Sequence, residues 1–327
     1  MVGYFKMITN FENKFFSFNL TSEVINAKYK TISKKGWIIK IKDKYDQVGF
    51  GEISPILKND LKICEKEMQI ISEVNNKIDI LENIKKLHPC IQSGIKCAIS
   101  EMKGEIKFKN SYDFEQIDKT AILLSSSKAI EDIKIFKENL NYKNYNLTFK
   151  WKVGIQENSK EEKILEEILN EIPSDYKLRI DANGSWGRDL ANRWANILQN
   201  NKNLDWLEQP LPPDDIQGLR KLNKKIPIAL DESLMKFPEL IDKWPGWQIR
   251  RPSQESNPIK LLQELNNKKG YISVSSSFET GIARRFLFHC AFLQLNSSTP
   301  KVPGLALKQT PESFLFSNNP NYIWDGL

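Results

Sequence analysis

Four short apolar runs in the middle of this chain end in charged residues, and they recur about every twenty to thirty positions. They read Leu147-Thr148-Phe149-Lys150-Trp151-Lys152, Leu178-Arg179-Ile180-Asp181, Leu204-Asp205-Trp206-Leu207-Glu208 and Ile228-Ala229-Leu230-Asp231-Glu232. Runs of this length, with helical stretches between them, predict parallel strands buried on both faces. The charges then stand at the C-terminal ends of successive strands. In a β/α barrel those ends ring one mouth, and the active site lies there. Two lysines and three acids facing one cavity predict a metal-assisted proton-transfer site.

A chain of 327 residues can bury a full barrel core and still carry a second small domain. Its 40% apolar and 27% charged content is that of an ordinary soluble protein. No apolar stretch reaches membrane-spanning length. The opening Met1-Val2-Gly3-Tyr4-Phe5-Lys6 lacks the long apolar segment of a secretory signal, so a cytoplasmic location is expected. The net charge of +7 is spread through amphipathic helices beside Glu, as in Ser159-Lys160-Glu161-Glu162-Lys163. The expected partner is a small-molecule carboxylate, with no nucleic acid and no membrane, bound by a monomer or homo-oligomer. Cys64, Cys90, Cys97 and Cys290 form no C-x-x-C pair and no zinc spacing, which predicts buried, reduced thiols. His88 and His289 leave little for Ser-His-Asp or zinc chemistry.

Residues 1 to about 55 alternate like an antiparallel meander, with Trp37-Ile38-Ile39-Lys40-Ile41 after a Lys35-Gly36 turn and a further arm running to Phe50-Gly51-Glu52. Residues from about 59 to 108 read as helical, broken at Pro89. The βα series begins near Ala121-Ile122-Leu123-Leu124 and includes Trp247-Gln248-Ile249-Arg250 and Tyr271-Ile272-Ser273-Val274, seven units by about residue 295. Ser159-x-x-Glu162 predicts a capping box, and Asn257-Pro258 an N-cap followed by proline at the first helical position. Two units follow: an α+β domain over 1–115, closed by the tail 308–327, and a barrel over 116–307. The tail aromatics Phe314, Phe316, Tyr322 and Trp324 are expected to pack back on the first domain.

Asp181, Glu208 and Asp231 come from neighbouring strand ends and would repel one another without a cation. Mg²⁺ takes hard oxygen ligands and keeps positions open for substrate. Any one of these acids alone reads first as a strand-end acid capping a helix N-terminus; the three together read as a metal site. Lys150 and Lys152 are two apart, so on a strand they face the same way and Trp151 faces the other. A lysine near its solution value of about 10.4 is a poor base at neutral pH. Two ammonium groups about 6 Å apart repel by roughly 3 kcal/mol, about two pKa units. One of the pair can therefore be neutral and serve as general base.

Together, Lys150-x-Lys152-x-Gly154, Asp181-Ala182-Asn183, Glu208-Gln209-Pro210 and Asp231-Glu232-Ser233 resemble the enolase superfamily. Within it they are most similar to the o-succinylbenzoate synthases of menaquinone and phylloquinone biosynthesis. Gly49-Phe50-Gly51-Glu52-Ile53-Ser54-Pro55, Ser275-Ser276-Ser277-Phe278-Glu279 and Pro303-Gly304-Leu305 add to the likeness, which runs from about residue 35 to 307. Each motif is weak alone; their order and spacing are specific. The resemblance implies an α/β fold: a modified (β/α)₇β TIM-type barrel under an α+β capping domain. It implies Mg²⁺, with Mn²⁺ as a substitute, at Asp181, Glu208 and Asp231. Lys152 matches the acid/base, and Lys150 the group that tunes it and helps hold the substrate carboxylate. Ser275, Ser276, Ser277 and Gly304 fall where the family binds the succinyl end, with Asn183 and Arg179 supporting the ligands from behind. The loop near Phe50 and the meander would close over the pocket.

The implied reaction is the syn-dehydration of 2-succinyl-6-hydroxy-2,4-cyclohexadiene-1-carboxylate to 2-succinylbenzoate, a carbon–oxygen lyase (hydro-lyase) step. One position departs: the family usually has Lys before Pro on the sixth barrel strand, and here Arg251 precedes Pro252. Arginine is always charged, so it can stabilise an anion but cannot act as a neutral base. An epimerase or racemase needs a proton acceptor on each face of the α-carbon, whereas a syn-dehydration needs one. Arg251 therefore joins Lys152 and Lys150 among the candidate catalytic residues and favours the dehydration. The alternatives are an N-acylamino-acid or dipeptide epimerase, a lactonising enzyme, or a catalytically silent barrel.

Overall fold

A computed structural model describes residues 8–25, 27–28, 30–73, 83–106, 108, 114, 117–139 and 145–327. Strands β1 (Ile8–Ile25), β2 (Lys30–Asp43) and β3 (Val48–Ile53) form an antiparallel sheet in that order. The central strand is buried on both faces, with Ile38, Ile39 and Ile41 fully enclosed. On one face, Ile39, Ile41 and Ile53 pack against Cys64, Met68, Ile91 and Ile95 of the helices Lys58–Glu73 and Pro89–Met102. The glycines of Gly49-Phe50-Gly51 permit that approach: a Cβ on Gly51 would lie 1.9 Å from the Gly94 carbonyl oxygen, and one on Gly49 1.9 Å from that of Ala98. The other face carries Phe16, Ile38 and Phe50, covered by Ile282, Leu315, Ile323 and Trp324. The C-terminal tail thus packs on the meander, with Lys14 Nζ donating to the Trp324 carbonyl (2.9 Å).

The second sheet is parallel and follows chain order: β4 (Ile122–Leu123), β5 (Thr148–Lys152), β6 (Lys177–Asp181), β7 (Leu204–Glu208), β8 (Ile228–Leu230), β9 (Trp247–Arg250) and β10 (Ile272–Val274). An extended segment closes it. Gly304 N donates to Val274 O and Ser276 N to Gly304 O (both 2.9 Å), while Ala121 N donates to Pro303 O (2.8 Å). This stretch takes the eighth strand's place between β10 and β4, giving the (β/α)₇β barrel.

Alternation decides what faces inward. Phe149, Trp151, Leu178, Ile180 and Leu207 point out against Leu165, Ile168, Trp194 and Leu198 of the surrounding helices. The inward positions are Thr148, Lys150 and Lys152; Arg179 and Asp181; Trp206 and Glu208; Ala229 and Asp231; Trp247, Ile249 and Arg251. Their lower members, Trp206, Ala229, Trp247 and Ile249, form a small apolar plug. Their upper members are charged and rise into the mouth.

Of two expected helix starts, one differs and one is found where expected. The helix after β5 runs Asn158–Glu171 with Glu157 as N-cap, so Ser159 lies inside the first turn and makes no capping box. Glu161 serves the turn instead, accepting from the amides of Gly154 (2.8 Å), Ile155 (2.9 Å) and Gln156 (3.0 Å). The helix Pro258–Asn266 does start at Asn257 with proline first, but the Asn257 side chain makes no cap bond. The expected domain boundary at 115–116 lies outside the described residues. All four cysteines are free; Cys64, Cys90 and Cys290 are buried. Among the described residues no helix is long and apolar enough to cross a membrane.

Candidate active site

Lys150 lies between two acids. Its Nζ is 2.8 Å from Asp181 Oδ2 and 2.7 Å from Glu208 Oε1. Burial alone would lower this amine, but Asp181 and then Glu208 outweigh it and hold the pKa above the ordinary lysine value. Lys152, two residues on, makes no ion pair among the described residues. Burial lowers it; Asp181 opposes that, and Lys150 and Arg251 reinforce it, so the net displacement is downward. One strand thus presents a fixed cation and, beside it, an amine biased toward its neutral form.

The acids also divide. Burial would raise Asp181, but Lys150 and Lys152 hold it below the usual carboxylate range. Glu208 is pushed up to about 7, by burial and then by Asp181. The Trp206 indole sits below it, Nε1 3.4 Å from Glu208 Oε2. Asp231 accepts a fork from Arg251, Nε to Oδ1 at 3.0 Å and Nη2 to Oδ2 at 2.7 Å. The third guanidinium nitrogen donates to the Ser276 carbonyl. Arg251 therefore ties the ends of β8, β9 and β10 together.

Two residues with left-handed backbone hold the acid loops, Asn183 (φ 47) and Gln209 (φ 37). Asn183 N donates to Asp181 Oδ1 (3.1 Å), and its Nδ2 donates to Glu232 Oε1 (3.0 Å). Gln209 Oε1 accepts from the Asp231 amide (3.2 Å) and the Ser233 amide (3.0 Å). Sequence reasoning gave no role to Glu232 or Gln209. Each directly follows a candidate ligand, in Asp231-Glu232 and Glu208-Gln209, and that adjacency was the available signal.

Among the described residues, no three Asp, Glu, His or Cys side chains are gathered closely enough to hold a metal ion as they stand. Lys150 and Arg251 instead neutralise the carboxylates. The donor chemistry nevertheless suits Mg²⁺, being entirely hard oxygen. Among the described residues, two buried oxygens of the cluster, Asn183 Oδ1 and Glu232 Oε2, have no hydrogen-bond partner. Asp181 Oδ2 is already met by the Lys150 ammonium at 2.8 Å. Undonated buried oxygens are costly unless a cation or water meets them, so these residues fit a divalent ion.

The remaining candidates are placed as follows. Ser275 pairs with Gly304 across the closing seam. Ser276 Oγ donates to Glu279 Oε2 (2.8 Å), and Ser277 N also donates to Glu279 (2.9 Å). Ser277 Oγ is buried and has no hydrogen-bond partner among the described residues. Arg179 makes none of its hydrogen bonds to the three acids. It bonds Asp205 (3.1 Å) and the Val302 carbonyl (2.8 Å) and lies 4.1 Å over Trp206, so its bonds hold the barrel floor and closing segment.

The family profile "Enolase C-terminal domain-like" matches residues 139–242. An o-succinylbenzoate synthase of Thermosynechococcus vestitus is 31% identical over 274 residues, 79% of this chain and 80% of the relative. An N-succinyl-L-Arg/Lys racemase of Bacillus cereus is 32% identical over 156 residues, 44% of this chain and 42% of that one. The crystal structure of o-succinylbenzoate synthase from Thermosynechococcus elongatus, complexed with Mg in its active site, superposes with a TM-score of 0.72 at 26% identity, covering 97% of this chain and 99% of the other.

Proposed function

The chain belongs to the o-succinylbenzoate synthase family of the enolase superfamily, and from that premise we propose that it catalyses the Mg²⁺-dependent syn-dehydration of 2-succinyl-6-hydroxy-2,4-cyclohexadiene-1-carboxylate to 2-succinylbenzoate. The observation that carries this is the unequal placement of two lysines on one strand: Lys150 is ion-paired with Asp181 and Glu208, while Lys152 makes no ion pair among the described residues and burial biases it downward. Asp181, Glu208 and Asp231 would hold the metal. Once bound, the metal supplies Lewis-acid stabilisation of charge developing on the substrate carboxylate.

The chain's own groups do the rest. Neutral Lys152 takes the proton α to the carboxylate. It then returns that proton to the departing hydroxyl on the same face, so one residue serves as base and acid. Lys150 and Arg251 place fixed positive charge where carboxylate charge builds. Arg251 also opposes the rival racemase reading, because it cannot lose a proton to act from the opposite face. The Ser275–Ser277 and Gly304 seam would receive the succinyl arm. The reading includes a cytoplasmic location and a place in menaquinone or phylloquinone biosynthesis.

The test is a spectroscopic dehydration assay on the cyclohexadiene substrate, with and without Mg²⁺. Metal-dependent aromatisation is expected. No turnover, together with racemisation and deuterium uptake at the α-carbon of N-acylamino acids in D₂O, would overturn the assignment in favour of the racemase.

A further inference from the structure

Ser54 and Pro55 leave the end of β3 and pass over the barrel turn Pro252–Gln254, which directly follows Arg251. The Ser54 carbonyl there meets two side chains from different parts of the chain. Lys34 Nζ, from β2, donates to it at 2.8 Å, and Gln254 Nε2, from the barrel, donates to it at 2.7 Å. A carbonyl oxygen has two acceptor sites, so both are used. Lys34 Nζ also donates to the Pro55 carbonyl (2.8 Å). Lys34 is 3% exposed and Gln254 6%, so neither side chain is a surface contact.

The far side of the Gln254 amide is engaged as well. Its Oε1 accepts from Cys90 Sγ (3.3 Å) on the helix Pro89–Met102. That helix also grips the turn through Ser93 Oγ, which donates to the Pro252 carbonyl (2.8 Å). Gln254 Nε2 further donates to Ser253 Oγ, which donates to Glu279 Oε1 (2.7 Å) beside the Ser275–Ser277 seam. A single amide thus joins the Ser54 carbonyl and the helix Pro89–Met102 to the turn after β9, and Ser253 extends the chain of bonds to Glu279.

We propose that Gln254 and Lys34 are positioning residues that clamp the Ser54–Pro55 segment onto the mouth of the barrel, fixing the cover over bound substrate. Neither residue touches the reacting atoms. The clamp holds the non-reacting part of the substrate in place, and its loss is felt in substrate binding more than in the proton transfers. This rests on the dehydratase reading for its kinetic arm alone.

The experiment compares Gln254→Leu, Gln254→Glu and Cys90→Ala in the full-length chain. Gln254→Glu keeps an acceptor for Cys90 but has no donor for Ser54. Gln254→Leu and Gln254→Glu are expected to raise KM about five- to tenfold with kcat changed less than about threefold, the loss of roughly one buried hydrogen bond. Mg²⁺ affinity by calorimetry is expected to stay near wild type. Hydrogen exchange in the peptide spanning 54–58, measured without substrate, is expected to speed up in both Gln254 variants and not in Cys90→Ala. Lys34→Met combined with Gln254→Leu is expected to cost less than the product of the two single effects, because both act on one carbonyl. Unchanged exchange at 54–58, or a Cys90→Ala effect equal to that of Gln254→Leu, would overturn the clamp. A wild-type chain inert toward the diene would instead sink the reaction assignment, and the exchange measurement would still decide the clamp.

Discussion

Lys152 and Lys150 differ by two positions and by everything around their amines. Lys150 has two carboxylates within 2.8 Å; Lys152 has burial and two neighbouring cations against it. Lys152→Ala is therefore expected to lower dehydration by about 10²–10⁴ while Mg²⁺ binding by calorimetry stays near normal; retained turnover would remove Lys152 from its role. The pH profile gives a second check. A protonated Lys152 cannot accept the substrate proton, so kcat/KM should fall as pH drops through its lowered pKa. Lys150→Met removes a neighbouring positive charge and unpairs Asp181 and Glu208, and both changes raise Lys152. The acidic limb of the profile should then move to higher pH; a limb that stays or moves lower would contradict the assignment. Asp231→Asn is expected to lose activity that excess Mg²⁺ only partly restores, since both the charge and the partner of the Arg251 fork change. Unchanged activity would argue against Asp231 as a ligand.

At the scale of elements, the helix Gly281–Gln294 has an N-terminus capped from elsewhere in the chain. Glu52, at the end of β3, accepts from Thr280 N (3.0 Å), Thr280 Oγ1 (2.6 Å) and Ala283 N (3.2 Å). These satisfy donors that a helix start leaves open, and they pin the meander to the barrel. Burial, and then Glu279 nearby, push the Glu52 carboxyl up to about 7. Between its ordinary value of 4.5 and about 7, the folded chain holds a proton that the unfolded chain has released. The contribution is thus complete below the lower value and lost as pH rises through the upper one. In thermal melts, Glu52→Gln is expected to flatten the decline in Tm between about pH 5 and about pH 8; an identical slope in both proteins would refute this.

Element starts also mark where local signals mislead. Ser159 and Glu162 have the spacing of a capping box, yet Glu161 takes the free amides because the turn before it, at Gly154 (φ 76), brings three of them within its reach. The runs of β5 to β8 were legible because fully buried strands carry their own signature. The charges at their ends were legible because period-two alternation sends Lys150, Lys152, Asp181 and Glu208 inward together.

Across the whole molecule, the tail from 308 onward is a third contributor to the first unit's core. Trp324 packs on Phe50 at 6.2 Å between ring centres, with the ammonium groups of Lys14 and Lys40 4.9 and 5.5 Å from its own ring. It is 5% exposed. Trp324→Ala is expected to destabilise the chain by about 3–5 kcal/mol, the range for removing a buried large aromatic, as read from urea unfolding. A change within about 0.5 kcal/mol would mean the tail does not fasten the unit.

The sequence by itself determined the barrel rhythm, the inward set of lysines and acids, and the permanent charge at Arg251, because strand periodicity and side-chain chemistry act over a few residues. The closing strand was not written in that language: Val302-Pro303-Gly304-Leu305 has no strand-like pattern and becomes one only by bonding β10 and β4. Nor could sequence assign Glu52 to a helix 228 positions away, or bring Lys34 and Gln254 to one carbonyl. Those pairings exist because burial forces each polar group to find a partner wherever the folded chain supplies one, and only the tertiary structure says where that is.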